Sequence, residues 1–192
     1  VLHAVFPVIL DANVLIPVSL CDVLLRAARK NLIQVYWTEE ILEEMRRNLV
    51  AEYRRSESQA ARRVAAMKDA FPEALVTGYE QLTPAMKNHP KDRHVLAAAV
   101  HIGAQTIVTN NLRDFRAEHL PRNMQAQDPD TFLQNLLSQA PDAILEVLHL
   151  QAANLKNPPI PFEKMLEGMA RTVPGFIQEV RGLLPPSPIT EP

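Results

Sequence analysis

An apolar run, Val5-Phe6-Pro7-Val8-Ile9-Leu10, ends abruptly in Asp11, and an apolar segment, Ala12-Asn13-Val14-Leu15, resumes at once. A short uninterrupted Val/Ile/Leu run reads as a strand covered on both faces, the setting of a parallel sheet. The C-terminal edge of such a sheet is where open α/β folds place their ligands. Asp11 therefore stands at a ligand edge in apolar surroundings, where an ionised carboxylate is costly unless it is paired or bound to metal.

The rest of the chain repeats the strand–helix alternation. Pro17-Val18-Ser19 opens a helix through Ala28 with apolar residues three and four apart, and Asn31 is its expected stop. Gln34-Val35-Tyr36-Trp37 is a second strand, and Thr38 is a good N-cap for a helix from Glu39 to about Tyr53. Residues 46–68 are helical and arginine-rich, with a break expected at residues 56–58. The pairs Arg46-Arg47, Arg54-Arg55 and Arg62-Arg63 recur every eight residues, so they drift by about 80° around the axis and make a broad basic flank. Phe71-Pro72 ends the next helix, and Val76-Thr77-Gly78-Tyr79 reads equally as turn or short strand.

Asn88-His89-Pro90-Lys91 is a loop leading into a helix from Asp92 to Val100, closed by Gly103. Gln105-Thr106-Ile107-Val108-Thr109 is another buried strand, followed by the polar loop 110–115. A last short strand is expected at residues 124–127 and a helix at 131–138. Such alternation implies crossover connections and a parallel sheet. From Pro141 onward only helix is expected, interrupted by the stiff Pro158-Pro159-Ile160-Pro161. The expected organisation is an α/β domain over residues 1–139, a helical extension over 140–184 and a disordered proline-rich tail over 185–192.

Composition excludes several classes. Net charge is −2, which neither announces nor excludes a nucleic-acid partner. The single cysteine, Cys21, leaves no intrachain disulfide, fits a reducing cytosol and reads as core. No apolar run approaches membrane-spanning length, and the opening segment lacks the basic flank of a signal peptide, so a cytoplasmic protein is expected. The six histidines show no ligand spacing such as HExxH, which argues against zinc.

Three further acidic positions share Asp11's logic, and parallel topology brings the helix start Thr38-Glu39-Glu40 and Asp114 to its edge, with Glu44 about one turn further in. Asp114 lies in the loop after the 105–109 strand, Asp92 begins an Ala-rich buried helix, and Glu40, Glu43 and Glu44 lie on the helix that Thr38 opens. Three or four ionised carboxylates at one edge repel one another and raise their pKa values. A divalent cation resolves this, and all-oxygen ligands favour Mg²⁺ or Mn²⁺.

Taken in order, Asp11-Ala-Asn13-Val-Leu, the Thr38…Glu44 helix, Asp92-Arg-His-Val-Leu-Ala-Ala-Ala and Ile-Val-Thr109-Asn110-Asn111-Leu-Arg-Asp114-Phe115 resemble a PIN-domain ribonuclease over residues 6–135. The closest type is the VapC-like toxin of a bacterial toxin–antitoxin pair. The resemblance implies a three-layer α/β/α fold with a central parallel sheet and Mg²⁺- or Mn²⁺-dependent cutting of single-stranded or loop RNA. It also implies a protein antitoxin as partner, and a homodimer is the common assembly, for which the apolar helix at 21–28 is the candidate surface. By position, Asp11, Glu44, Asp92 and Asp114 match the family's acidic quartet as catalytic and metal-binding residues. Glu44 is chosen over Glu40 and Glu43, and Asp114 takes the fourth place because Asn111 stands where some relatives carry an acid. Asn13, Thr109 and Asn110 match polar residues that orient the quartet. Arg46, Arg47, Arg54 and Arg55 are candidates for RNA or antitoxin contact, and His94 for substrate contact. The segment 155–181 resembles an extension of some VapC-like toxins.

Two other enzyme classes with an Asp at this strand end fit poorly. Haloacid-dehalogenase-like phosphatases need a second Asp where this chain has Asn13, and receiver domains need an acidic pair and a late Lys that are not evident. The rival from another class is a catalytically idle PIN domain that binds RNA or serves as a scaffold.

Overall fold

The computed structural model describes residues 6–156 and 158–185. Val5, His3 and the proline-rich tail beyond Pro185 lie outside the described residues. Four short strands form one wholly parallel sheet: β1 (Pro7–Leu10), β2 (Gln34–Tyr36), β3 (Thr106–Val108) and β4 (Gln125–Gln127), in the order β2-β1-β3-β4. Val8, Ile9, Leu10, Ile107 and Val108 are fully buried, which is why these segments carry no polar alternation. The chain leaves β1 to one side for β2 and returns to the other side for β3. The C-terminal ends of β1 and β3 are therefore neighbours where the strand order reverses, the place at which open α/β sheets form a crevice.

Helices α1 (Ala12–Leu15), α2 (Val18–Arg29), α3 (Glu39–Ala51), α4 (Glu57–Ala70) and α5 (Arg93–His101) complete the α/β/α arrangement. Thr38 caps α3 as expected, its hydroxyl accepting from the Ile41 amide at 3.1 Å. Ser56 and Gln59 form a reciprocal capping box, so the expected break is the start of α4. In α5 every residue from His94 to Ala99 is buried, and three small alanines let the helix approach β1 and β3. Gly103 closes it at φ +66°, a backbone state that favours glycine. The ambiguous segment near Val76 makes one parallel bridge, Leu75 with Trp37, and no longer strand.

Helix α2 corrects one expectation. Leu20, Cys21, Val23, Leu24 and Ala27 are buried in the protein's own core, so the apolar stripe suggested as a dimer surface is already used.

Contacts divide the chain into two compact units, Val1–Pro129 and Asp130–Pro192. The second holds nearly all of α6 (Pro129–Gln139), with α7 (Pro141–Asn154), α8 (Phe162–Met169) and α9 (Pro174–Leu183). Within it, Asp130 accepts from the Gly175 and Phe176 amides at 2.9 and 2.7 Å, holding the otherwise unpaired first turn of α9. Among the described residues no helix is long and apolar enough to cross a membrane.

The Thr38 cap fixes where α3 begins and hence where its acids stand. Thr38→Ala is expected to lower stability by about 1 kcal/mol in urea denaturation. An unchanged midpoint would show that the cap contributes nothing.

Candidate metal centre

Asp11 follows β1 directly, and its amide extends the sheet by donating to the Val108 carbonyl at 3.1 Å. Its side chain is buried, with 4 % of the residue exposed, and three groups bond to the carboxylate. The Ala12 amide donates to Oδ1 at 2.7 Å, while the Thr109 hydroxyl and Asn13 Nδ2 each donate to Oδ2 at 2.6 Å. A carboxylate offers about four acceptor positions, so one remains, on Oδ1. Burial pushes the Asp11 carboxyl up from its ordinary pKa, and these hydrogen bonds and His94 pull against it. Asn13 also accepts from the Asn110 amide at 2.9 Å, lashing the end of β1 to the loop after β3.

That loop carries the next acids. The Asn111 amide donates to the Thr109 hydroxyl at 3.0 Å, and its side chain donates to Asp114 Oδ2 at 2.5 Å and reaches Asp92 Oδ2 at 3.4 Å. Asp92 occupies the N-cap position of α5, yet its side chain makes no capping bond. It faces instead a cluster in which ligand atoms of His89, Asp92 and Asp114 all lie within 4.8 Å of one another. Burial first, then Asp11, Asp114 and Glu44, push the Asp92 carboxyl up to about 6. Asp114, bonded to Asn111, is held below the usual carboxylate range.

The acids of α3 have different surroundings. Glu40 accepts from the Tyr79 hydroxyl at 2.8 Å, and Glu43 is paired with Arg46 at 2.8 Å. Glu44 has neither partner. It is half-buried, and burial and the neighbouring Asp11 charge push its carboxyl up. Glu44, Asp92, Asp114, His89, His94, Arg47 and Lys91 are among the residues lining a cleft of about 1050 Å³. Asp11 lies behind this surface and is felt electrostatically by Asp92 and Glu44. Asp92 and Asp114 are thus brought together with His89, Glu44 lines the same cleft, and Asp11 stands behind it.

The basic flank is partly structural. Arg46 is engaged by Glu43 and Glu57, and Arg63 donates to the Leu15 and Ile16 carbonyls at the end of α1. Arg47 lines the cleft, whereas Arg54 and Arg55 are exposed beyond α3.

A family model for the PIN domain matches residues 7–113, more than half of the chain, and a model for the VapC50 C-terminal domain matches residues 129–182. The chain belongs to the PIN-domain family. One relative is the "Putative ribonuclease VapC50" of Mycobacterium tuberculosis (strain ATCC 25618 / H37Rv), 39 % identical over 113 residues, which span 58 % of this chain and 67 % of the relative. No solved structure matches this chain. The α/β/α sheet architecture and the helical region after residue 129 are those of a PIN domain with a VapC50-type extension.

The residues fit a divalent cation. Carboxylate oxygens with one imidazole suit a small hard or borderline ion, and the mutual repulsion at Asp92 is what such an ion relieves. His89 lies beside Asp92 and Asp114 in this cluster, a neighbour that histidine spacing, weighed only against zinc, does not single out. Its signal was position: it precedes Asp92 by three residues in a proline-fixed loop. Asn111, noted only as a missing acid, is the group that joins Asp92 to Asp114.

The sign of the linkage follows from Asp92. Its folded pKa of about 6 lies above the ordinary 3.8, so in cation-free protein the group lowers stability as pH rises from about 4 through 6. Asp92→Asn is expected to be more stable than wild type at pH 7 in EDTA, with the difference fading by about pH 4. Equal urea midpoints at pH 7 would contradict the strained carboxylate.

Proposed function

We propose that this PIN-domain protein is a divalent-metal-dependent endoribonuclease, acting in the cytoplasm as the toxin of a toxin–antitoxin pair. Its substrate is then RNA and its partner a protein antitoxin. The observation that carries the reading is that Glu44, Asp92 and Asp114 line one cleft, with Asp11 behind it close enough to raise the pKa of both Glu44 and Asp92. Support comes from the similarity to VapC50, whose name describes a ribonuclease.

In this reading Asp92, Asp114, Glu44 and Asp11 would hold Mg²⁺ or Mn²⁺, Asp11 through its remaining acceptor position. When bound, the cation supplies charge neutralisation at the scissile phosphate and acidifies the attacking water. The chain's own residues do the positioning. Thr109 and Asn13 fix the Asp11 rotamer, and Asn110 fixes Asn13. Arg47 and Lys91, on the same cleft, pair with phosphates flanking the cut. Glu44 is favoured over its neighbours because Tyr79 occupies Glu40 and Arg46 occupies Glu43.

Purified protein should cleave single-stranded RNA with Mn²⁺ or Mg²⁺ and stop in EDTA. Asp11→Asn, Asp92→Asn and Glu44→Gln should each lower the rate by about 100-fold or more, while Glu40→Gln and Glu43→Gln stay within a few-fold. A folded wild type that binds RNA without cutting it under any divalent cation would favour the idle-scaffold reading. Arg47→Ala should weaken RNA binding and reduce the slope of log affinity against log salt by about 0.7. An unchanged slope would remove Arg47 from the RNA path.

A further inference from the structure

We infer that His89 is a nitrogen ligand of the bound cation, so that the centre prefers a transition metal of the Mn²⁺ type to Mg²⁺. The inference rests on the metal-dependent reading above and deepens it.

His89 Nδ1 stands 4.0 Å from Asp92 Oδ2, and the ligand atoms of His89, Asp92 and Asp114 lie within 4.8 Å of one another. Two atoms bound to one small cation at roughly 2.1 Å each are about 3.0 Å apart on adjacent vertices and about 4.2 Å apart on opposed ones. The 4.0 Å His89–Asp92 separation falls inside that interval, and the 4.8 Å bound on the three ligand atoms lies just above it, so the three side chains draw in by some tenths of an ångström around an ion. The His89–Asp92 separation is also too long for a direct hydrogen bond. The competing use of the imidazole is weak: Nδ1 accepts from the Lys91 amide at 3.4 Å, near the limit of a hydrogen bond. With 47 % of the side chain exposed, His89 has room to turn toward a third partner.

The chemistry then decides the metal. Mg²⁺ takes oxygen ligands and keeps water, and gains little from an imidazole. Mn²⁺ accepts carboxylate oxygen readily and stands, with Co²⁺ and Ni²⁺, among ions that also take nitrogen. Asp92 and Asp114 provide two negative charges for a divalent ion, and the Asn111 side chain links their carboxylates. An all-carboxylate cluster would discriminate weakly between Mg²⁺ and Mn²⁺. Adding His89 supplies the discrimination.

Electron spin echo spectroscopy of the cation-free protein loaded with one equivalent of Mn²⁺ reads nitrogen coordination directly. Wild type should show nitrogen hyperfine coupling. His89→Ala, a change at an exposed loop position, should lose it, with Mn²⁺ affinity falling on the order of tenfold and Mg²⁺ affinity changing less than about threefold. Bound Mn²⁺ without nitrogen coupling, or coupling that survives in His89→Ala, overturns the role of His89 and leaves the metal-dependent reading standing. Mg²⁺ binding without Mn²⁺ binding overturns the preference and leaves the metal-dependent reading standing, and if neither ion binds to folded wild type, both fall.

Discussion

Burying a carboxylate between two strand ends costs several kcal/mol unless it is well bonded, and here Ala12, Asn13 and Thr109 together hold Asp11. Those bonds do more than compensate burial. Thr109 follows β3, Asn13 follows β1, and Asn110 reaches back to Asn13, so the same network fastens the two central strands where their order reverses. The amides and side chains that lead outward from it, through Asn111 to Asp114 and Asp92, set the wall of the cleft. A carboxylate with one acceptor position left is thereby fixed behind acids that other elements carry.

Rigidity at the base and strain at the rim are different physical states. Asp92 takes the N-cap position without making the cap bond, and burial, with the surrounding carboxylates, pushes its pKa up to about 6. Such uncompensated repulsion lowers the stability of the cation-free fold and is the usual cost of a site built for a charged ligand. Glu44 shares that state from the opposite element, while Glu40 and Glu43 are satisfied by protein partners. The choice of Glu44 among the three α3 acids thus rests on the protein partners that Glu40 and Glu43 already have.

The sheet was legible because both-face burial leaves an unmistakable apolar run in β1 and β3, and the helix starts were legible because Thr38 and the 56–58 segment carry cap chemistry. The placing of Asp114 beside Asp11 followed from parallel topology, while Asp92 entered through the resemblance of its helix start to the family's motif. What the sequence hid were relations decided by side-chain packing. Tyr79, far along the chain, engages Glu40 across a turn no periodicity announces. Arg63 is spent on the α1 carbonyls, so a basic flank on paper is partly a structural clamp. His89 joins the acids through a loop conformation, and α2 turns its apolar stripe inward because the core behind β2 needs it.

The helical unit from Asp130 matches the VapC50 C-terminal domain and carries its own device, the Asp130 grip on the start of α9. It adds none of the acids on which the proposed chemistry depends. The central claim, that the acids around Asp92 hold a divalent cation, is tested most directly by anomalous diffraction from Mn²⁺-soaked crystals of the protein. The account predicts an anomalous peak within roughly 2.1–2.2 Å of an Asp92 carboxylate oxygen, beside Asp114. Well-ordered Asp92 and Asp114 with no anomalous density in the cleft would contradict it.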